Sequence, residues 1–270
     1  GMFVLLACAS VENFLPTPPP ATITSTANPT PFIPPPVVDI PGNPRELVKY
    51  LLETNAGCEL PCWWGITPGV TPWVAARQIL EKTSMYIDAQ ESEAEFYAKV
   101  GVYLPPSYDF VPSMEHVYHV KNGIVDTIRI YNFDLTPNYD LSKILQDYGQ
   151  PTEVWLRTFA EADRGVQDFL VELFYQERGI LIEYRTAKPL TEIDGKLRNC
   201  LIKDMNAPVI HLWLPGALLF EDAKSFLDTA NLPEPKPLFD ATGMDVESFY
   251  ETFQYHETDG CLETPKNLWP

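Results

Sequence analysis

The residues of this chain best equipped for chemistry are its thiols, imidazoles and carboxylates. The tightest grouping is Cys58-Glu59-Leu60-Pro61-Cys62-Trp63-Trp64-Gly65. Two cysteines beside two tryptophans first suggest a redox or metal centre, and the spacing argues against both. A thioredoxin-type pair has two intervening residues and sits at a helix N-terminus, which lowers the thiol pKa. Here three residues intervene, and one of them, Pro61, breaks a helix. A zinc site needs further Cys or His at paired spacings, and none lies near. What remains is a structural disulfide. With Cys8 set aside, Cys58, Cys62, Cys200 and Cys261 can pair in three ways. Cys58–Cys62 with Cys200–Cys261 is favoured, because the second bond would tie down the segment ending in Trp269-Pro270. A five-residue ring is tight, so Cys58–Cys261 with Cys62–Cys200 stays open.

The two tryptophans carry a second expectation. Neighbours on an extended chain face opposite sides, so one ring is expected in the core and the other at the surface. Trp63 and Trp64 are therefore the candidate binding residues, a platform for a sugar ring or a partner protein. The four histidines are His116, His119, His211 and His256. His116 and His119 fall in a predicted strand, where positions three apart point to opposite faces, so no metal pair is expected. No His-Glu-x-x-His, Gly-x-Ser-x-Gly or phosphate-cradling glycine loop occurs. The chain is expected to use no cofactor and no metal, and no catalytic residue is assigned. Its 37 Asp and Glu could include a glycosidase pair about 5–9.5 Å apart, but no carboxylate is singled out by its neighbours.

The net charge is −18, and the first basic residue is Arg45. Such a body gains neither counterion release from nucleic acid nor attraction to an anionic bilayer; nucleic acid is excluded as a partner. An acidic ligand would need a local basic pocket. At 45% hydrophobic, the chain can bury one large core or two small ones.

The elements that must position these groups are legible as an α+β pattern of helices packed on antiparallel sheet. Asn43-Pro44-Arg45-Glu46 opens a helix with Leu47, Tyr50 and Leu51 in a stripe. Thr71-Pro72 opens another, with Trp73, Ala76, Ile79 and Leu80 on one face. A polar stretch from Glu91 to Lys99 follows. Lys121-Asn122-Gly123 then joins strands 117–120 and 124–131 in a type I′ hairpin, with Ile124, Ile128 and Ile130 sharing a face. A third helix carries Leu141, Ile144, Leu145 and Tyr148 and stops at Gly149. Strands follow over 153–158, around Val171, Leu173 and Tyr175, and over Ile180, Ile182 and Tyr184. The last third holds a strand at 209–214, a helix at 217–230 and a helix at 244–255 with Phe249 and Phe253 at its core. Residues 45–134 and 135–200 are thus two tandem helix-plus-strands repeats, and 201–270 is an irregular C-terminal extension packed on them.

Two resemblances add to this. Leu145-Gln146-Asp147-Tyr148-Gly149-Gln150-Pro151 with the strands after it, and the Gly65–Gly69 lead-in to the second helix, are similar to the small α+β modules of bacterial envelope lipoproteins. These include the outer-membrane assembly lipoproteins of the SmpA/BamE type and the β-lactamase-inhibitor-like proteins, whose modules come in tandem. The resemblance covers about residues 65–187 and implies a binder rather than an enzyme. The stretch Cys58–Gly69 also resembles a motif of uncharacterised bacterial lipoproteins. At the N-terminus, Leu5-Leu6-Ala7-Cys8 resembles a lipobox, which implies a lipid on Cys8 and residues 1–8 as signal remnant and anchor. No basic residue precedes the apolar run, a departure from the usual signal.

Residues 16–44 contain eleven prolines and five threonines. They cannot form helix or central strand and are expected to extend at about 3.1 Å per residue, so that 9–44 forms a stalk. The expected protein is exported and lipid-anchored at the outer face of the bacterial membrane or envelope. It is expected to present a non-catalytic scaffold for a ligand or an envelope or extracellular protein. The alternative is an exported hydrolase acting on polysaccharide through a carboxylate pair.

Overall fold

The computed structural model describes residues 43–104, 113–131, 137–161, 166–189, 191–201, 208–227, 232–255 and 260–270; Cys8, the stalk up to residue 42, Leu135-Thr136 and His256 lie outside the described residues. Helix α1 (Pro44–Thr54) begins where its cap sequence places it. Asn43 Oδ1 accepts the Arg45 N–H at 3.0 Å, and Pro44 fills the first position, where a missing N–H costs nothing. Helix α2 (Trp73–Leu80) starts one residue later than expected. Thr71 does not cap it; its Oγ1 accepts the Thr67 N–H at 2.8 Å, and Pro72 sits at the cap. Helix α3 (Leu141–Tyr148) closes at Gly149 with φ 76°, which a side chain would resist.

Among the described residues, nine strands form one sheet, and every pairing in it is antiparallel. In spatial order they are β1 (Ser84–Ala89), β2 (Glu95–Tyr103), β3 (Ser113–Lys121), β4 (Ile124–Tyr131), β10 (Val209–Trp213), β7 (Ile180–Pro189), β6 (Val166–Tyr175), β5 (Glu153–Thr158) and β11 (Lys236–Pro237). A small second sheet pairs β12 (Cys261–Pro265), β9 (Lys196–Cys200) and β8 (Glu192–Ile193). Helix α4 (Phe220–Ala223), helix α5 (Leu238–Thr242) and helix α6 (Val246–Phe253) are the other α-helices among the described residues. The α+β class therefore holds.

Alternation sorts the sheet into two faces. The inner face carries Ala98, Val100, Val102, Tyr118, Ile128, Ile130, Ile210, Ile182, Leu173 and Leu156, all buried against Val48, Leu52, Trp73, Leu80, Ile144, Phe249 and Phe253 from the helices. The outer face has a smaller core of its own, in which Phe174, Leu181 and Trp213 meet Phe220, Ala223 and Leu227 around α4.

Four expectations need correction. The strand at 209–213 is not part of an appended extension: it lies in the middle of the sheet between β4 and β7, and its register sets Ile210 opposite Ile130 and Ile182. The polar stretch 91–99 contains the start of β2, in which Phe96 and Ala98 alternate with exposed residues. Ile124 does not share the core face. The β3–β4 register slips between His119 and Val120, leaving Asp126 as the extra residue of a bulge, so Val125 takes the buried position. The helix expected over 217–230 is four residues of α4 with a 3-10 turn through Phe226.

Candidate functional site

The Cys58–Gly69 stretch is a clasp built on Asn55. The Asn55 backbone adopts φ 48° at the end of α1, a conformation Asn tolerates better than most residues. Its Nδ2 donates to the carbonyls of Cys58 and Cys62, each at 2.8 Å, and its Oδ1 accepts the Trp64 N–H at 2.8 Å. Cys58 and Cys62 are disulfide-bonded, so bond and amide close the same loop. Trp63 and Ile66 then exchange backbone hydrogen bonds at 2.9 Å across a two-residue turn in which Trp64 and Gly65 have φ 56° and 82°. Sequence reasoning named the cysteines but passed over Asn55. Asn55→Ala leaves two carbonyls and one N–H without their partner and is expected to cost about 2–4 kcal/mol, read from the urea midpoint. A shift worth less than 1 kcal/mol would remove Asn55 from this role.

The turn overturns the platform expectation for Trp63 and Trp64. Because Trp64 has positive φ rather than extended geometry, the two rings do not diverge. They stack at 5.3 Å between centroids, and both are fully buried. His116 stands edge-on to both, and burial holds its ring neutral, with a pKa pushed down to about 3. No ligand can reach these tryptophans without unfolding the clasp. The second favoured pairing is also present: Cys200 and Cys261 are disulfide-bonded, directly opposite one another on β9 and β12.

An accessible site lies on the outer face of the large sheet. A cleft of about 240 Å³ spans β2, β3, β4 and β10, with Ser225 and Phe226 above it. In cross-strand register, Tyr97 stands opposite His119, His119 opposite Thr127, and Thr127 opposite Trp213. In the next row Val117 is opposite Arg129, and Arg129 opposite His211. All of these line the cleft. Tyr97 stacks on His119 at 4.7 Å, and Phe226 lies parallel to His211 at 6.1 Å, so aromatic walls rise on two sides.

His119 is fixed from both ends, Nδ1 to Asp126 at 3.0 Å and Nε2 to Glu95 at 2.9 Å. The Arg129 guanidinium lies 4.6 Å over the Tyr131 ring. His211 is 3% exposed. Burial above all, then Arg129 and Arg157, push its pKa down to about 3, so the ring is neutral. His116 and His119 do fall on opposite faces, as the strand reading requires.

Among the described residues, no Asp or Glu lines the cleft. The paired carboxylates on this face, Glu172 and Glu183, are opposite each other on β6 and β7 and both close on Arg157 from β5. Arg157 and Glu172 are fully buried. Burial raises the Glu172 pKa to about 8, with Arg157 opposing and Glu183 reinforcing the shift. This is an internal ion cluster rather than an open acid–base pair. Among the described residues, no three His, Cys, Asp or Glu side chains are grouped so as to hold a metal ion, and no helix is long and apolar enough to cross a membrane.

Sequence reasoning missed the cleft because its residues are dispersed over four strands and a helical turn. The available signal was the non-apolar residue alternating into each strand: His119, Arg129 and His211. Comparison of the chain with protein-family models, with curated proteins and with solved structures returned no match.

Proposed function

We propose that this chain is a non-catalytic binding module of the bacterial cell surface, held by a lipid on Cys8 and a stalk over residues 9–44, with the outer-face cleft as its ligand site. The observation that carries the binding role is the composition of the cleft. It has aromatic walls, an arginine and two histidines and, among the described residues, no carboxylate in its lining. Concave sites with a few placed polar groups are where small ligands bind. A polysaccharide hydrolase needs an acid and a base or nucleophile flanking the substrate, and the Glu172 and Glu183 carboxylates are engaged by Arg157 instead.

The anchor and stalk rest on the amino-acid sequence, and the two disulfides suit an exported protein. The tandem-repeat reading belongs to the same proposal. Helix α2 leads into β1–β4, helix α3 leads into β5–β7 and then β10, and the last strand of each series meets the other at the centre of the sheet.

The site is tested by labelling the indole nitrogens and following the Trp213 resonance, assigned by Trp213→Phe, while sugars, amino acids and short peptides are titrated in. At least one class is expected to shift it, with no product released from polysaccharides. Release of reducing ends, abolished by substitution in the Arg157 cluster, would sink the non-catalytic reading. In full-length protein made in a bacterium that processes lipoproteins, an acyl mass on Cys8 is expected, and its absence would remove the anchor.

A further inference from the structure

Arg129 differs from the other arginines of the sheet. Arg157 and Arg185 each meet a carboxylate on a neighbouring strand. Arg129 makes no ion pair and no hydrogen bond among the described residues, although acidic groups outnumber basic ones 37 to 19. Its Nε–H is shut off from solvent without an acceptor. The Tyr131 ring beneath the guanidinium holds the plane in place, and a planar fork presents paired donors that match a carboxylate. His211, opposite Arg129 in register, is likewise without a hydrogen bond among the described residues. A neutral imidazole offers one donor and one acceptor, the pair that a hydroxyl group satisfies. Thr127 and Ser225 add hydroxyls to the lining, and Tyr97 and Phe226 add flat apolar faces. The cleft, about 240 Å³, is smaller than the usual pocket for a drug-sized ligand, which suits one ring rather than a chain.

We propose that the cleft binds a hydroxylated ring bearing a carboxylate, an acidic monosaccharide unit of the uronic acid type, with its carboxylate on Arg129. The inference rests on the cleft being the ligand site. The ring packs its C–H face against Tyr97 or Phe226, as sugar rings pack on aromatics, and its hydroxyls meet His211, Thr127 and Ser225. Glu95 and Asp126 are both held on His119, and the cation left for the ligand's carboxylate is Arg129. The acidic body supplies no long-range attraction, so recognition is local to the guanidinium and the affinity is salt-sensitive.

The test follows the Trp213 indole resonance during titration with D-glucuronate and D-galacturonate, their neutral counterparts D-glucose and D-galactose, and benzoate. At least one uronate is expected to bind tenfold or more tightly than its neutral counterpart, with the preference falling as salt is raised. Arg129→Gln is expected to abolish the preference and Arg129→Lys to restore part of it. If neutral sugars bind as tightly, or benzoate alone shifts the resonance, the inference is overturned and the cleft remains the ligand site. If no compound in this panel or in the broader titration moves it, both fall. Should Arg129→Gln not fold, the comparison within the wild-type protein decides: an acid preference indifferent to salt overturns the proposal.

Discussion

Arg157→Met is expected to destabilise the domain by about 3–5 kcal/mol, because it takes the cation away from the fully buried Glu172 and the part-buried Glu183 that face each other. The cluster joins three adjacent strands through Arg157 on β5, Glu172 on β6 and Glu183 on β7. An ionised carboxylate at the fully buried Glu172 would lose its hydration. The physical resolution is that Glu172 keeps its proton, and its raised pKa, about 8 against an ordinary 4.5, expresses this.

The sign of the pH dependence follows. Between the unfolded and folded values the folded chain binds a proton that the unfolded chain has released. Stability from this group is whole below pH 4.5, declines as pH rises, and is lost above pH 8. The slope in that window reaches about 1.4 kcal/mol per pH unit. Glu172→Gln carries no titrating proton and keeps the Arg157–Glu183 pair. The wild type is therefore expected to lose stability relative to Glu172→Gln as pH is raised from 5 to 8, read by urea denaturation at each pH. Contributions from other carboxyl groups cancel in that difference. Parallel pH profiles would show that Glu172 is ionised in the fold. Arg157→Met is expected to be better tolerated at pH 5 than at pH 8 for the same reason.

Trp64→Ala is expected to cost about 3–5 kcal/mol, the range for emptying a large aromatic from a core. Trp64 is fully buried, stacked on Trp63 and edge-on to His116. The Trp64 backbone N–H, the third bond of the Asn55 side chain, is kept in Trp64→Ala, so the cost is that of the ring alone. Trp64→Phe keeps an aromatic face and is expected to lose less. Both variants, measured where they remain folded, are expected to bind cleft ligands as the wild type does, because the clasp is on the inner face and the cleft on the outer. A denaturation midpoint unchanged in Trp64→Ala would contradict the burial; a changed ligand preference in folded Trp64→Phe would contradict the separation of the two sites.

Much of the architecture is written locally. The cap at Asn43-Pro44, the Asn122-Gly123 turn, the stop at Gly149 and the alternation of Ile180, Ile182 and Tyr184 depend on a few neighbouring residues, and each appears where those residues dictate. The disulfide framework was narrowed by the same means, since a thiol pair around Pro61 in this spacing suits little else. Failures occurred where a local signal met a non-local constraint. Alternation placed Ile124 in the core until the bulge at Asp126 shifted the register. Extended geometry would separate Trp63 from Trp64, but Asn55, at the end of a different element, holds Trp64 at positive φ.

The sequence by itself determined helices α1, α3 and α6, the β3–β4 hairpin, strands β5, β6, β7 and β10, the clasp cysteines, the acidic composition and the expectation of an exported, anchored chain. Only the tertiary structure decided that β10 lies between β4 and β7, which sets His211 beside Arg129 and leaves Glu172 and Glu183 to Arg157. Periodicity records which face of a strand is apolar, and its range is a few residues. It carries no information on which strands become neighbours, because that depends on how the whole inner face is buried. A site made of single residues from four strands therefore becomes visible only once those strands are paired.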